Sequence, residues 1–231
     1  MKHIKNLFKI SIFLFISALV IIIGIYVYSY FMPAMSLNSA NSYYLYDNKD
    51  NVVYQGSNKS AWVSLKEIDP KFLNYIISIE DQHFYHHLGF DIPRILKTLF
   101  TNIKSGKILA GASSISQQYV KNLYLTFDQT WKRKIEEAFL TIKLETHYSK
   151  DEILEGYLNT IYFGEGVYGI KNAANYYFNK EPSDLTDEEA IILAGIPKSP
   201  NNYNPISNME ACMKRVNVVK SVLKENGTIT D

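Results

Sequence analysis

One stretch decides the fold: Asp69-Pro-Lys-Phe-Leu-Asn-Tyr-Ile-Ile-Ser-Ile-Glu-Asp-Gln-His-Phe-Tyr-His-His-Leu-Gly89. Asp69 and Pro70 are typical of a helix N-cap and first helical position, and apolar residues follow at helical spacing. The helix would end at Glu80, with its carboxylate partly withdrawn from water. Such an acid can serve as a general base, although an isolated Glu-Asp pair is more often a solvated helix end.

Downstream of this stretch most signals are helical, so we predict a mainly α fold. A second apolar stripe runs from Ile92 to Ile103 and ends at Gly106. The small residues of 106–116 predict a loop leading into a helix, whose N-terminus is a natural place for a phosphate. Capping signals announce the later helix boundaries: Ser149 with Glu152, Thr186 with Glu189, Ser207 with Glu210, and Gly227 at the end.

Upstream lies an uncharged apolar run over residues 10–32. At ~1.5 Å per residue it is long enough to cross a hydrocarbon core of ~30 Å, which predicts a transmembrane helix. Lys2, Lys5 and Lys9 precede it, so the N-terminus should be cytoplasmic and the rest extracellular. A cleaved signal peptide is the alternative, but the run is long for one and no clear Ala-x-Ala site follows.

The predicted organisation has four parts: a cytoplasmic tail over 1–9, the span over 10–32, a linker over 33–67 and a helical domain over 68–231. Two apolar runs in the linker, residues 43–46 and 52–54, flank a polar segment and predict a small membrane-proximal β-hairpin.

Composition narrows the functional classes. A formal net charge of +1 gives no reason to expect a nucleic acid partner. The single cysteine, Cys212, excludes an internal disulfide and lies in an apolar helical pattern. His83, His86 and His87 are close in sequence, but no matching Cys or acidic ligands predict a zinc site.

A second charged group lies some fifty residues after Glu80. Arg133, Lys134 and Glu137 share one helix face, because i,i+3 and i,i+4 residues are neighbours. The simplest interpretation is a surface salt bridge. The alternative is a pair of cations for a pyrophosphate, oriented by the carboxylate. Further along, Glu155 and Asn159 lie on a helix where both could face a cleft.

In this order, five blocks resemble the peptidoglycan glycosyltransferases of family 51, which occur as monofunctional transglycosylases and as the transglycosylase domain of class A penicillin-binding proteins. The blocks are Glu80-Asp81-x-x-Phe84-x-x-His87-x-Gly89, Gly111-Ala-Ser-Ser-Ile-Ser-Gln117-Gln118-x-x-Lys121-Asn122, Arg133-Lys134-x-x-Glu137, Ile153-Leu-Glu155-x-Tyr157-Leu-Asn159-x-x-Tyr162-x-Gly164 and Leu193-Ala-Gly-x-Pro197-x-x-Pro200-x-x-Tyr203-Asn-Pro205. Ser114 and Ser116 stand where the family usually has Thr, which retains the hydroxyls.

The resemblance implies a lysozyme-like, two-lobed helical domain that polymerises lipid II into β-1,4 glycan strands with inversion and release of undecaprenyl pyrophosphate. It implies Glu80 as the base and Glu137 as the second catalytic residue. The residues expected to bind substrate are Asp81, Phe84, His87, Ser113, Gln117, Gln118, Lys121, Asn122, Arg133, Lys134, Glu155 and Asn159.

The growing strand, lipid II and the membrane are the expected partners, with transpeptidases and other wall-synthesis proteins as further ones. No cofactor is required, although Mg²⁺ or Mn²⁺ can accompany the pyrophosphate. No transpeptidase domain follows Asp231, so the chain resembles the monofunctional kind; a truncated bifunctional protein is the alternative. The rival functions are a membrane-anchored muramidase-like hydrolase and a non-catalytic scaffold that binds lipid II.

Overall fold

The computed structural model describes residues 2–37, 43–46, 52–56, 62–107, 111–125 and 130–230. Within these ranges the chain is mainly helical, which confirms the predicted fold class. The helices are α1 (Lys2–Tyr30), α2 (Pro70–Glu80), α3 (Ile92–Ser105), α4 (Ile115–Tyr124), α5 (Trp131–His147), α6 (Lys150–Thr160), α7 (Ile170–Phe178), α8 (Asp187–Gly195) and α9 (Met209–Glu225).

The predicted hairpin is present. Strands β1 (Tyr43–Tyr46) and β2 (Val52–Gly56) pair antiparallel, with Tyr43 opposite Gly56 and a register shift between Leu45 and Tyr46. The predicted turn, residues 47–51, lies outside the described residues. The strands therefore form where alternating β-formers flank a polar segment.

Helix α1 contains the predicted span. Its segment Lys9–Tyr30 has 22 residues with a mean hydropathy of 2.9 and is long and apolar enough to cross a membrane. A signal sequence near an N-terminus shares these properties.

The last turns of α1 dock on the helical domain. The Tyr26 hydroxyl donates to the carbonyl of Leu88 at 2.6 Å. Ser29 is fully buried, its hydroxyl is 3.0 Å from that of Thr146 on α5, and its carbonyl lies 3.0 Å from Nε2 of His147. The end of α1 is therefore fixed against α5 by side-chain contacts.

Residues of the predicted linker also join the domain core. Met35 and Val63 are buried in the same apolar cluster as Ile68. The Tyr119 hydroxyl donates to the carbonyl of Leu37 at 3.3 Å. The boundary between residues 67 and 68 stays a prediction, since one core extends on both sides of it.

The core positions α2, α4 and α6. Helix α4 packs between α5 and α6, while α2 packs against α8 and α9. The largest fully buried side chains of the described residues are Tyr119, Tyr157, Phe72, Phe84, Phe163, Ile76, Ile115, Leu144, Ile153, Leu154, Leu158 and Ile170. A common core thus brings the end of α2 next to α4.

The predicted helix starts are confirmed at three positions. The side chains of Asp69, Ser149 and Thr186 each accept a hydrogen bond from a backbone N–H in the first turn of α2, α6 and α8. The predicted ends are also confirmed: Gly106 is left-handed at the end of α3, and Gly227 has φ +70° beyond α9.

The predicted cap at Ser207 is wrong. Asn208 caps α9, and its side chain accepts from the N–H of Ala211. The N–H of Ser207 is held instead by Oδ1 of Asn204, 3.2 Å away, inside a turn that precedes the helix. Asparagine caps as well as serine does, so the turn decided between the two neighbours.

The apolar stripe of α3 points outward. None of its residues is buried, and Leu96, Leu99, Phe100 and Ile103 are each more than half exposed. Nearby Leu88, which binds Tyr26 of α1, is 65% exposed. The helix therefore presents an apolar surface that no other described element covers.

Candidate active site

Glu80 is the last residue of α2, and its side chain is 9% exposed. Its Oε2 accepts a hydrogen bond of 2.8 Å from Nε2 of Gln118 on α4. In the described part of the chain, no hydrogen bond reaches its Oε1. The backbone carbonyl of Glu80 accepts from the Arg94 guanidinium. The carboxylate is therefore anchored at one oxygen and available at the other.

Asp81 fastens the end of α2 to the start of α4. Its side chain is completely buried, and Oδ2 accepts from the N–H of Ile115 at 3.0 Å. Nε2 of His87 lies 3.0 Å from Oδ1, and Arg94 lies 3.8 Å from the same oxygen. A buried carboxylate with these partners holds Glu80 in place relative to Gln118.

Several polar groups at the start of α4, which the sequence predicts as a phosphate site, already have partners within the protein. Asp81 already occupies its first N–H, and the Ser114 hydroxyl accepts from the N–H of Gln117 at 3.1 Å. Ser114 also donates to the carbonyl of Gly89 at 2.6 Å, and Ser116 donates to Glu145. A phosphate at the start of α4 would therefore have to use other groups than these, and the predicted site stays a prediction.

Glu137 forms the centre of the second charged group. It lies on α5 with 2% of its surface exposed. Its Oε2 accepts from Arg133 at 3.2 Å, while its Oε1 accepts from Lys134 and, at 3.0 Å, from Nε2 of Gln117. One carboxylate thus orients two cations and an amide, which favours a pre-arranged cation site over a surface salt bridge.

Lys121 connects the two groups. Burial lowers the pKa of its ammonium, and the positive charges of Arg133 and Lys134 lower it further. The carboxylate of Glu137 raises this pKa, and that of Glu80 raises it more weakly. Within the described residues, Lys121 has no hydrogen bond or ion pair. A half-buried ammonium without a partner in the described residues suits an anionic ligand.

The remaining predicted residues of α4 share this surface. Gln118, Lys121 and Asn122 are neighbours at i,i+3 and i,i+4 spacing, and Asn122 is exposed. Ser113 is half-buried just before the helix. Their contact with a substrate stays a prediction.

Two predicted substrate residues of the first block lie inside the protein. Phe84 is fully buried, with the Lys150 ammonium 4.5 Å from its ring centroid, and Asp81 is equally enclosed. His87 is almost enclosed, with its side chain 9% exposed, and it binds Asp81. Full burial leaves Asp81 and Phe84 no exposed surface in this structure, so their contact with substrate stays a prediction.

Glu155 and Asn159 bind the segment before α2. Glu155 accepts from Nε1 of Trp62 at 3.0 Å and from the N–H of Leu65 at 3.1 Å. Asn159 accepts from the N–H of Val63 at 2.9 Å and donates to its carbonyl at 2.8 Å. These groups satisfy backbone that would otherwise be buried unpaired, which gives both residues a structural role. Their contact with a substrate stays a prediction.

Sequence reasoning missed Arg94. It lies in the first turn of α3, where its N–H donates to the N-cap residue Asp91 and its guanidinium reaches the end of α2. The signal Asp91-Ile-Pro-Arg94 predicts a helix start but gives no indication that the arginine turns back onto Glu80.

No group of three or more His, Cys, Asp or Glu side chains suited to a metal occurs in the described ranges. The divalent cation on a pyrophosphate stays a prediction.

Comparison with known proteins adds a family to this geometry. The family model described as transglycosylase matches residues 48–224. Penicillin-binding protein 2D of Bacillus subtilis is 48% identical over 172 residues, which cover 74% of this chain and 25% of that protein. Penicillin-binding protein 1A of Aquifex aeolicus is 42% identical over 175 residues, covering 76% and 24%.

Penicillin-binding protein 1F of Bacillus subtilis is 38% identical over 232 residues, covering 98% of this chain and 32% of its own length. A solved structure, penicillin-binding protein 1A from Haemophilus influenzae, aligns with a TM-score of 0.43 and 19% identity over 87% of this chain and 20% of that one. The chain spans about a quarter to a third of the length of these curated relatives. Because the family model covers well over half of its residues, including both charged groups, the chain belongs to the transglycosylase family.

Proposed function

We propose that this chain is a peptidoglycan glycosyltransferase that joins lipid II units into β-1,4 glycan strands and releases undecaprenyl pyrophosphate. The observation that carries the proposal is that α4 connects the two carboxylates, since Gln118 donates to Glu80 and Gln117 donates to Glu137. Lys121 lies one turn further along α4, and both carboxylates raise the pKa of its ammonium against the lowering effect of burial. A base and a cation cluster that share a neighbour suit an attack by a hydroxyl and the departure of a pyrophosphate.

Glu80 is the base in this mechanism. Its Oε1 takes the proton from the 4-hydroxyl of the lipid II GlcNAc as the oxygen attacks C1 of the donor MurNAc. The C1–O bond to the pyrophosphate breaks in the same displacement, so an α-linked donor gives a β-linked product. Gln118 holds the other oxygen of the carboxylate throughout.

The cations receive the leaving group. Lys121 supplies an ammonium without a competing carboxylate bond in the described part of the chain, and Arg133 and Lys134 stand beside it. Glu137 keeps these cations oriented and is already saturated with hydrogen bonds, so it acts on the reaction through them. Mg²⁺ or Mn²⁺ can accompany the pyrophosphate, but the step does not need it.

The substrates explain the surface of the protein. Lipid II and the growing strand both carry lipid tails, and α1 is apolar and long enough to hold the domain at the same membrane. The exposed apolar side chains of α3 form a surface of the kind that can meet a membrane. The three lysines before the span support an orientation with the N-terminus in the cytoplasm and the catalytic domain outside, where transpeptidases that cross-link the strands would be partners.

The test is polymerisation of labelled lipid II by the full chain in detergent, with products separated on a gel before and after muramidase. We expect a muramidase-sensitive ladder from the wild type and none from Glu80→Gln, which keeps the shape but cannot accept a proton. Glu210→Gln is the matched control, since Glu210 is an exposed partner of Lys214.

Other outcomes select the rivals. Release of reducing ends from isolated cell wall, without a ladder, would identify a muramidase. Lipid II binding that is equal in wild type and Glu80→Gln, with no polymer from either, would identify a scaffold.

A further inference from the structure

We infer that Tyr157 is a positioning residue that acts through Gln118, fixing the side-chain amide so that it holds one oxygen of Glu80 and leaves the other to the acceptor hydroxyl. This inference rests on the proposed function, because it assigns a role within that same reaction.

Three side chains from three helices form a single chain of hydrogen bonds. The Tyr157 hydroxyl on α6 donates to Oε1 of Gln118 on α4 at 3.3 Å. Nε2 of Gln118 then donates to Oε2 of Glu80 at the end of α2 at 2.8 Å. Glu80 thus receives a hydrogen bond from an amide whose other end is held by Tyr157.

The chemistry of the groups determines that direction. An ionised carboxylate can only accept, so Gln118 must turn its NH₂ toward Glu80 and its carbonyl toward Tyr157. A hydroxyl can donate to that carbonyl, and it can also accept from the NH₂ if the amide turns over. Tyr157 therefore satisfies Gln118 both before and after Glu80 takes up a proton.

Tyr157 is held firmly enough for this role. It is fully buried. Burial raises its pKa well above the ordinary value, with Glu80 and Asp81 adding to the shift, so the hydroxyl keeps its proton. Next to it, a Cβ on Gly156 would lie 2.1 Å from Oη of Tyr119, so glycine here permits the close approach of α6 to α4.

The absence of the hydroxyl should disturb the reaction and not the binding of lipid II. In Tyr157→Phe the Gln118 carbonyl has no donor from α6, and its amide holds the ionised Glu80 less firmly. The base then ionises less readily, because a hydrogen bond to the charged form favours that form. The lipid II KM should stay near that of the wild type.

The experiment compares Tyr157→Phe with Tyr119→Phe in the full chain. Tyr119 is an equally buried tyrosine whose hydroxyl also makes one 3.3 Å hydrogen bond, but to the carbonyl of Leu37 and away from Glu80. For Tyr157→Phe we expect kcat to fall by about tenfold and the acid limb of the pH profile to move up by about half a pH unit or more. Tyr119→Phe should move neither.

The charged and titratable groups that act on Glu80 in the described residues come from several elements. They are Asp81 beside it, Lys121 on α4, Tyr157 on α6 and Arg94 on α3. The substitution changes only the tyrosine, so a moved acid limb reports on this connection.

A double-mutant cycle tests the route. If Tyr157 acts through Gln118, Tyr157→Phe should add little to the loss caused by Gln118→Met. Losses that add fully, or a pH profile that matches that of Tyr119→Phe, would overturn the inference while leaving the proposed function intact. If the wild type makes no polymer, the proposed function fails, and the ¹³C titration of the Glu80 carboxyl decides the inference. A midpoint that is the same in Tyr157→Phe and Tyr119→Phe would overturn it.

Discussion

At the scale of single residues, one carboxylate is left open and the other is filled. In the described residues, Glu80 accepts a hydrogen bond at one carboxylate oxygen only, whereas both oxygens of Glu137 accept hydrogen bonds, from Gln117, Arg133 and Lys134. Two acids of the same type thus receive different tasks from their hydrogen-bond partners alone.

Lys121 gives a prediction for the alkaline side of the pH profile. Its pKa lies below the ordinary 10.5, first because of burial, then because of Arg133 and Lys134, with Glu137 and Glu80 opposing. The cation is therefore present below the lowered pKa and lost as the pH rises through it, earlier than for an exposed lysine. We expect polymerisation to decline along with it.

Lys121→Arg tests this, because arginine keeps its charge at every pH used. The alkaline decline should move to higher pH in this variant, even though its different shape lowers the rate at neutral pH. Lys132→Arg, on the exposed side of α5, should leave the profile unchanged. An alkaline limb that does not move in Lys121→Arg would assign it to another group.

At the scale of elements, the joint between α6 and the segment before α2 depends on Asn159. Its amide pairs with both backbone polar groups of Val63, which is 2% exposed. Asn159→Leu leaves those groups buried without partners, and we expect the free energy of unfolding to fall by about 2–4 kcal/mol. Urea denaturation of the detergent-solubilised chain measures it.

The matched control is Asn172→Leu. Asn172 is exposed on α7 and donates only to the carbonyl of Tyr168. Its substitution should change stability by less than about 0.5 kcal/mol. Equal losses in the two variants would show that the joint contributes nothing of its own.

The same elements show which features of the fold can be predicted from the sequence. Helix starts at Asp69 and Ser149 depend on residues two or three positions apart, so they were predictable. The partner of Asn159 is 96 residues away, and the carboxylate that fills the start of α4 is 34 residues away. The sequence marks the start of α4 as a potential anion site, but only the fold shows that the Asp81 carboxylate accepts a hydrogen bond there.

The sequence predicted which residues belong to the candidate site better than it predicted how they are arranged. The five blocks brought together Glu80, Gln118, Lys121 and the Glu137 group, which the structure also brings together. The burial of Phe84 and the exposure of the α3 stripe were not predictable, because the spacing of apolar residues in a sequence is the same whether they pack into the protein core or lie on its surface.

At the scale of the whole molecule, the two ends of α1 differ in their contacts. From Ile10 to Ile23 the apolar side chains are exposed, whereas Tyr26 and Ser29 bind the domain. Deletion of residues 2–24 should therefore leave the melting temperature of the domain nearly unchanged and lower polymerisation in liposomes.

Deletion of residues 1–32, in contrast, should lower the free energy of unfolding by about 1 kcal/mol for each hydrogen bond that is lost, in addition to lowering polymerisation. Thermal unfolding of both truncated proteins in detergent measures the difference. Equal melting temperatures would show that the end of α1 does not support the domain, and full activity of either in liposomes would show that the span is dispensable.

The docking of α1 on α5 has a mechanical consequence. Under the proposed function, a strand that is joined to the existing wall would load the catalytic domain with tension at each addition. A domain on a slack tether would swing under that load. Tyr26 and Ser29 bind the domain directly, so we expect such a pull to reach α1 and to tilt it against the resistance of a surrounding bilayer.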